Sequence, residues 1–250
     1  GGNRVGDNLF ADSIVALDLT SGKVNWSTGV QGFDDWNVAC ISDFINPNGC
    51  PVDAGPDFDF GSGPNLFNLK TNGKNKLVVG AGQKSGQYWL LDAANGKILW
   101  SAAPGPGSTL GGIEWGTATD GKRIYVDESN YGRLANNLPD GTSNAASAYA
   151  ALDAATGTTV WKVADPHGGI ALGPTALANG VVYVGQLDGW MYALDASNGK
   201  VLWQYKGEGS SNAGPAITDR TIYWGNGYSH LGIPEGSPSH SFYAFSLNGN

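Results

Sequence analysis

The stretch Met191-Tyr-Ala-Leu-Asp195-Ala-Ser-Asn-Gly199-Lys-Val-Leu-Trp203 decides the fold, because the chain writes it four times. Earlier copies are Ile14-Val-Ala-Leu-Asp18-Leu-Thr-Ser-Gly22-Lys-Val-Asn-Trp26, Tyr88-Trp-Leu-Leu-Asp92-Ala-Ala-Asn-Gly96-Lys-Ile-Leu-Trp100 and Tyr149-Ala-Ala-Leu-Asp153-Ala-Ala-Thr-Gly157-Thr-Thr-Val-Trp161. A fifth, frayed copy, Phe242-Tyr-Ala-Phe-Ser-Leu-Asn-Gly249, carries no tryptophan. Each copy reads as an apolar strand, an Asp-x-x-x-Gly turn and a second strand closed by Trp. The Asp carboxylate can accept backbone N–H bonds inside the turn, and Gly supplies positive φ, so the unit is a hairpin. A lone hairpin cannot bury its apolar face, so the units must pack on one another, with the indole wedged between neighbouring sheets.

The tryptophans are spaced 74, 61 and 42 residues apart, about one four-stranded propeller blade plus insertions. Further strands are expected in the apolar runs that precede the copies, Lys76-Leu-Val-Val-Gly, Lys122-Arg-Ile-Tyr-Val, Gly180-Val-Val-Tyr-Val and Arg220-Thr-Ile-Tyr-Trp. No segment carries a helical period. The expectation is an all-β chain, a β-propeller with tryptophan docking. Residues 1–250 would hold about four to five blades of a larger, eight-bladed ring, with the remaining blades outside this chain.

The 250 residues include 39 glycines, only 14% are charged, and the net charge is −8. That balance argues against nucleic acid or an anionic membrane as partner. No stretch is long and apolar enough for a transmembrane helix. Cys40 and Cys50 flank a Pro- and Gly-containing segment. A local disulfide is the preferred reading over two unpaired thiols, and it implies an oxidising compartment, periplasmic or extracellular. Asn25-Trp-Ser27 matches a glycosylation sequon, a pattern common by chance. The three histidines (His167, His230, His240) have no zinc-ligand spacing, and no nucleophile elbow or phosphate loop is present.

The chemistry is expected in a few charged residues of this lightly charged chain. Asp57-Phe-Asp59-Phe-Gly-Ser-Gly-Pro places two carboxylates at i and i+2, on one face of an extended segment, where their repulsion raises one pKa or recruits a cation. Lys84, in Gly82-Gln-Lys84-Ser-Gly86, stands at the end of an inner strand. An Asp-rich turn and a solvated lysine would be the bland explanation of the same residues.

These motifs resemble the quinoprotein alcohol dehydrogenases, eight-bladed propellers that bind pyrroloquinoline quinone (PQQ), and in particular their polyvinyl-alcohol-dehydrogenase-like branch. The resemblance covers essentially the whole chain. It rests on the Ala-Leu-Asp-x-x-x-Gly-Lys-x-x-Trp repeat, on Asp57-x-Asp59 with Lys84 27 residues after Asp57, and on Gly111-Gly-Ile-Glu114-Trp115-Gly. It implies Asp57 as catalytic base and Lys84 as catalytic and quinone-contacting cation. Glu114 and Trp115 would touch the cofactor, and Asp59 with Asp57 would ligate a metal, Ca²⁺ or another hard cation. The implied reaction is oxidation of a small or polymeric alcohol, such as a secondary alcohol, polyol or polyvinyl alcohol, with electrons passed to an external acceptor such as a cytochrome c. Many relatives carry the base in a Trp-Asp pair, whereas Pro56 precedes Asp57; Asp35, beside Trp36, is therefore the competing candidate. Other metal ligands of the family would precede Gly1. Two further readings stand beside the enzyme: a non-enzymatic propeller used as a binding or assembly scaffold, and a propeller binding some other small molecule.

Overall fold

The structure, a computed structural model, describes residues 9–40, 49–71, 73–227 and 236–247. Among them lie five consecutive antiparallel sheets of a β-propeller and, apart from a single 3-10 turn at Val38–Cys40, no helix. Asn25 is followed by the first docking tryptophan, and the strands Ser13–Leu17 and Val24–Gly29 form the first, two-stranded sheet. The second is four-stranded: Asn65–Thr71, Lys74–Gly82, Tyr88–Asp92 and Ile98–Ala102. The third comprises Ala118–Thr119, Arg123–Glu128, Ala148–Asp153 and Thr159–Ala164, with a small ribbon (Asn136–Asn137, Ser143–Asn144) inserted in it. The fourth comprises Ala176–Ala178, Val181–Gly185, Trp190–Asp195 and Val201–Lys206. The fifth holds Ala216–Thr218, Thr221–Gly225 and Phe242–Ser246. The apolar residues of each run named from the sequence lie in one of these strands, although Lys122, Gly180 and Arg220 immediately precede theirs. The end of the frayed copy, from Asn248, lies outside the described residues.

The repeat works across sheets as well as within them. In each turn the Asp carboxylate caps its own hairpin: Asp153 Oδ1 accepts from Ala155 N and Thr156 N, and Asp195 Oδ1 from Ser197 N. The Trp that closes one copy then docks on the next. Trp26 Nε1 donates to Ala93 O (3.0 Å), Trp100 to Ala154 O (3.1 Å) and Trp161 to Ala196 O (2.9 Å). Its ring lies against the turn glycine of that neighbour. A Cβ on Gly96, Gly157 or Gly199 would fall 2.5–2.7 Å from the indole, and all three glycines have φ between +73° and +77°. The Gly is thus required twice, by the turn and by the wedge. Apolar faces close the seams: Val78, Leu90, Ile124 and Leu152 between the second and third sheets, and Tyr125, Tyr149, Val182 and Leu194 between the third and fourth.

A second repeated feature positions the site. At the turn between the middle strands, a backbone N–H reaches back to the segment entering the same sheet. The bonds are Lys84 N to Asp59 O, Ser129 N to Gly112 O, Leu187 N to Ile170 O and Gly227 N to Ser210 O. Asp59 and Lys84 therefore occupy positions that sister sheets fill with Gly, Ile or Ser and with Ser, Leu or Gly.

Candidate active site

Lys84 is held at its backbone from two sides. Its N–H donates to Asp59 O (3.0 Å) and its carbonyl accepts from Ser108 N (3.0 Å), while the turn closes through Gly86 N to Gln83 O with Gly86 at φ +81°. Close approach continues at Gly112, where a Cβ would lie 2.3 Å from Lys84 O. So fixed, the side chain carries Nζ to 3.1 Å from Asp57 Oδ2, 2.8 Å from Asp59 Oδ2 and 3.9 Å from Glu114 Oε1. The structure thus gathers three acids expected from the sequence, Asp57, Asp59 and Glu114, around the ammonium of a fourth expected residue, Lys84. Trp115 follows Glu114 and turns to the neighbouring apolar cluster of Ile170, Leu172 and Leu187.

The Asp57 and Glu114 side chains are 5% and 8% exposed, whereas that of Asp59 is 56% exposed and forms the open side. Burial, and then the hydrogen bond with Asp59, push Asp57 up to about 7; Lys84 works in the opposite sense. Asp59 goes the other way. Despite desolvation, hydrogen bonds with Lys84 and Asp57 hold it below the usual carboxylate range. Burial likewise raises Glu114 to about 7, partly offset by Lys84. Lys84 is held above its ordinary value, because Asp59, Glu114 and Asp57 together outweigh its desolvation. Two neighbouring carboxyls thus separate into one that holds a proton near neutrality and one that stays ionised, the pattern of an acid–base pair.

Asp57 sits at φ +61°, a left-handed conformation that costs a non-glycine residue on the order of 1 kcal/mol. Nearby, Asp34 Oδ2 accepts from Phe58 N (2.8 Å) and Asp34 Oδ1 from Trp36 N (3.2 Å). Asp35, the competing base, is buried and donates its N–H to Ala54 O. Lys84 takes its described carboxylate partners from Asp57, Asp59 and Glu114. Cys40 and Cys50 form the expected disulfide. Asp12 was not singled out by the sequence; burial, then Asp34 and Asp59, raise it to about 6. A second buried ion pair also escaped it: Lys162 Nζ lies 3.0 Å from Glu128 Oε2 and bonds Asn136 Oδ1, tying down the third sheet's insertion. His167 stacks on Trp190 (3.8 Å between ring centroids), and His230 lies outside the described residues.

The donor set suits a quinone and a hard cation. Glu114 Oε2 and Trp115 Nε1 are buried without a hydrogen-bond partner, which an incoming polar ligand would supply. Gly61 leaves the room that Glu114 occupies, since a Cβ there would lie 2.4 Å from Glu114 Cγ. Asp57 and Asp59 offer carboxylate oxygens suited to Ca²⁺. Among the described residues no three Asp, Glu, His or Cys side chains converge on a metal position, so these two carboxylates do not by themselves make a complete cation site. A cavity of about 660 Å³ lies elsewhere, between the fourth and fifth sheets against Trp203, Phe245 and Ile222, away from these charges.

Comparison with known proteins bears on the family and the fold. A family model described as outer membrane protein assembly factor BamB matches residues 11–143 and 145–236. A polyvinyl alcohol dehydrogenase of Pseudomonas sp. is 30% identical over 96% of this chain and 40% of its own length. That of Sphingopyxis sp. (strain 113P3) is 29% identical over 87% of this chain and 36% of its own length. Among solved structures, the quinohemoprotein alcohol dehydrogenase ADHIIG of Pseudomonas putida HK5 superposes with a TM-score of 0.71 at 16% identity, over 98% of this chain and 44% of that one. The chain spans about two-fifths of the length of these relatives.

Proposed function

From a chain that belongs to the quinoprotein alcohol dehydrogenase family of propellers, in its polyvinyl-alcohol-dehydrogenase-like branch, we propose that these residues form the catalytic-base and quinone-contacting part of a PQQ- and Ca²⁺-dependent alcohol dehydrogenase. The remaining blades of an eight-bladed ring would come from the rest of the whole protein. The observation that carries the reading is Lys84 Nζ held between Asp57 and Asp59, with Glu114 beside it. Sister sheets fill the Lys84 position with Ser129, Leu187 and Gly227, so the fold does not require a charge there.

Held by Lys84, Glu114 and Trp115, with a hard cation on Asp57 and Asp59, a bound PQQ would supply the hydride acceptor for alcohol oxidation and the cation the Lewis acid. Asp57 takes the hydroxyl proton at its carboxylate, which Lys84 Nζ faces at 3.1 Å. Asp59, kept ionised, and Asp57 present oxygens to the cation. Lys84 holds its charge through neutrality and stabilises negative charge developing on the quinone oxygens. Glu114 and Trp115 orient the cofactor through their unpartnered buried polar atoms. Polyvinyl alcohol, named for two of the relatives, and the secondary alcohols and polyols that share its hydroxyl chemistry are the substrate class. Electrons leave to an external acceptor such as a cytochrome c. The Cys40–Cys50 disulfide supports a secreted or periplasmic location, and no helix among the described residues is long and apolar enough to cross a membrane.

The second reading is an assembly scaffold, favoured by the description of the matching family model. Dye reduction by the full-length protein, with alcohol, PQQ and Ca²⁺, separates the two. Turnover that needs both additions and is lost in Asp57→Asn supports the dehydrogenase; absence of quinone binding leaves the scaffold.

A further inference from the structure

The charged groups around Lys84 include one whose conformation needs an explanation, since Asp57 is a non-glycine residue at φ +61°. Such a backbone persists only where its surroundings over-determine it. Here the surroundings are a second irregular segment, Phe33-Asp34-Asp35-Trp36, which crosses Ala54-Gly55-Pro56-Asp57-Phe58. We propose that Asp34 is the positioning residue of the site: its carboxylate clamps the two segments and fixes the conformation that aims Asp57 at Lys84. This rests on the assignment of Asp57 as the base.

Asp34 receives one N–H from each segment, Phe58 N on Oδ2 and Trp36 N on Oδ1. Phe58 is the residue after Asp57, so the first bond fixes the peptide that follows the left-handed residue. One residue further on, Asp59 O accepts from Lys84 N (3.0 Å), so the main chain is anchored twice just after Asp57. A third bond, Asp35 N to Ala54 O (2.8 Å), repeats the link upstream of Asp57. Gly55 makes the crossing possible. It has φ +86°, and a Cβ there would lie 2.7 Å from Asp34 Cα and 2.8 Å from Asp34 Oδ1. The two segments therefore touch at backbone distance, with Asp34 at the contact. Charge-assisted bonds to backbone N–H groups are among the stronger ones available for such a task. Asp34 needs no contact with substrate; its effect passes through the Asp57 backbone, and a displacement of about 1 Å at a reacting group costs roughly 100-fold in rate.

The test uses the full-length protein loaded with PQQ and Ca²⁺, and compares Asp34→Ala, Asp34→Asn, Gly55→Ala and the double variant Asp34→Ala/Gly55→Ala. Turnover is read against KM, quinone affinity by tryptophan fluorescence, and Tm. Asp34→Ala is expected to lower kcat about 100-fold while KM and quinone affinity change less than about threefold. Asp34→Asn keeps one acceptor for two donors and falls between. Gly55→Ala reproduces the loss, and the double variant is no worse than either single one, because both break one clamp. Unchanged kcat in Asp34→Ala and Asp34→Asn overturns the proposal, as does a parallel fall of kcat, quinone affinity and Tm in all four variants. Multiplicative losses in the double variant also overturn it. An unaltered protein that binds no quinone and turns over no alcohol defeats the dehydrogenase assignment instead, and the proposal with it.

Discussion

The second and fourth sheets solve one geometrical problem with opposite chemistry. In both, the turn between the middle strands bonds back to the entering segment, Lys84 N to Asp59 O at 3.0 Å and Leu187 N to Ile170 O at 2.8 Å. In the fourth sheet the two side chains are Ile and Leu, 2% and 1% exposed, packed with Leu172. In the second they are an acid and a base in an ionic cluster with Asp57 and Glu114. The apolar version shows that the turn needs no charge. Buried ion pairs are poor stabilisers compared with packed hydrocarbon, so the ionic version departs from what folding alone favours. Departures of that kind mark functional sites.

The comparison can be broken by exchanging its parts. Asp57→Asn keeps the shape and removes the proposed base; alcohol-dependent turnover of the full-length protein, read by dye reduction, should fall about 10³-fold with quinone affinity retained. Leu187→Lys places a second-sheet cation against Ile170 with no acid of its own, and costs about 3 kcal/mol in denaturant unfolding. The reciprocal change, Lys84→Leu with Asp59→Ile, keeps the fold but loses quinone binding. Lys84→Leu alone leaves Asp59, as well as Asp57 and Glu114, without the cation and is the less stable of the two variants. The second sheet is also entered through the disulfide-closed strap, so Cys40→Ser/Cys50→Ser lowers stability by about 2–3 kcal/mol, with the fourth sheet's amide protection the less affected.

The smallest effect is in pH. Asp57 and Glu114, raised to about 7 in the fold from 3.8 and 4.5, bind protons more tightly folded than unfolded. The stability they contribute is present below their unfolded values and is lost as pH climbs toward 7. Without quinone and metal, Tm should therefore decline between pH 4 and 7, and the slope should flatten in Asp57→Asn. Turnover runs the other way, rising as Asp57 loses its proton.

What the sequence made legible follows from range. The Asp-x-x-x-Gly turn is satisfied within its own hairpin, and the Trp repeats at a constant place, so sheets and seams could be read from local patterns. Asp57, Asp59 and Lys84 were readable as charged residues in a lightly charged chain, at a spacing that resembles the quinoprotein family; that sister sheets fill the equivalent positions without charge is visible only in the folded chain. Asp34 was not readable. Its partner is a backbone N–H 24 residues away in the chain, and no side-chain pattern announces such a bond. Asp12 was missed for a similar reason, since its neighbours Asp34 and Asp59 come together only in the folded chain.

The central claim is that the second sheet's charges exist to hold a quinone, and quinone affinity tests it most directly. Fluorescence titration of the full-length protein with PQQ and Ca²⁺, beside Lys84→Leu/Asp59→Ile, should show tight binding in the native protein. In the variant, binding should be at least about 100-fold weaker, the loss of roughly 3 kcal/mol, with Tm within a few degrees. Equal affinity in the two proteins would contradict the account and return the charged turn to a structural role.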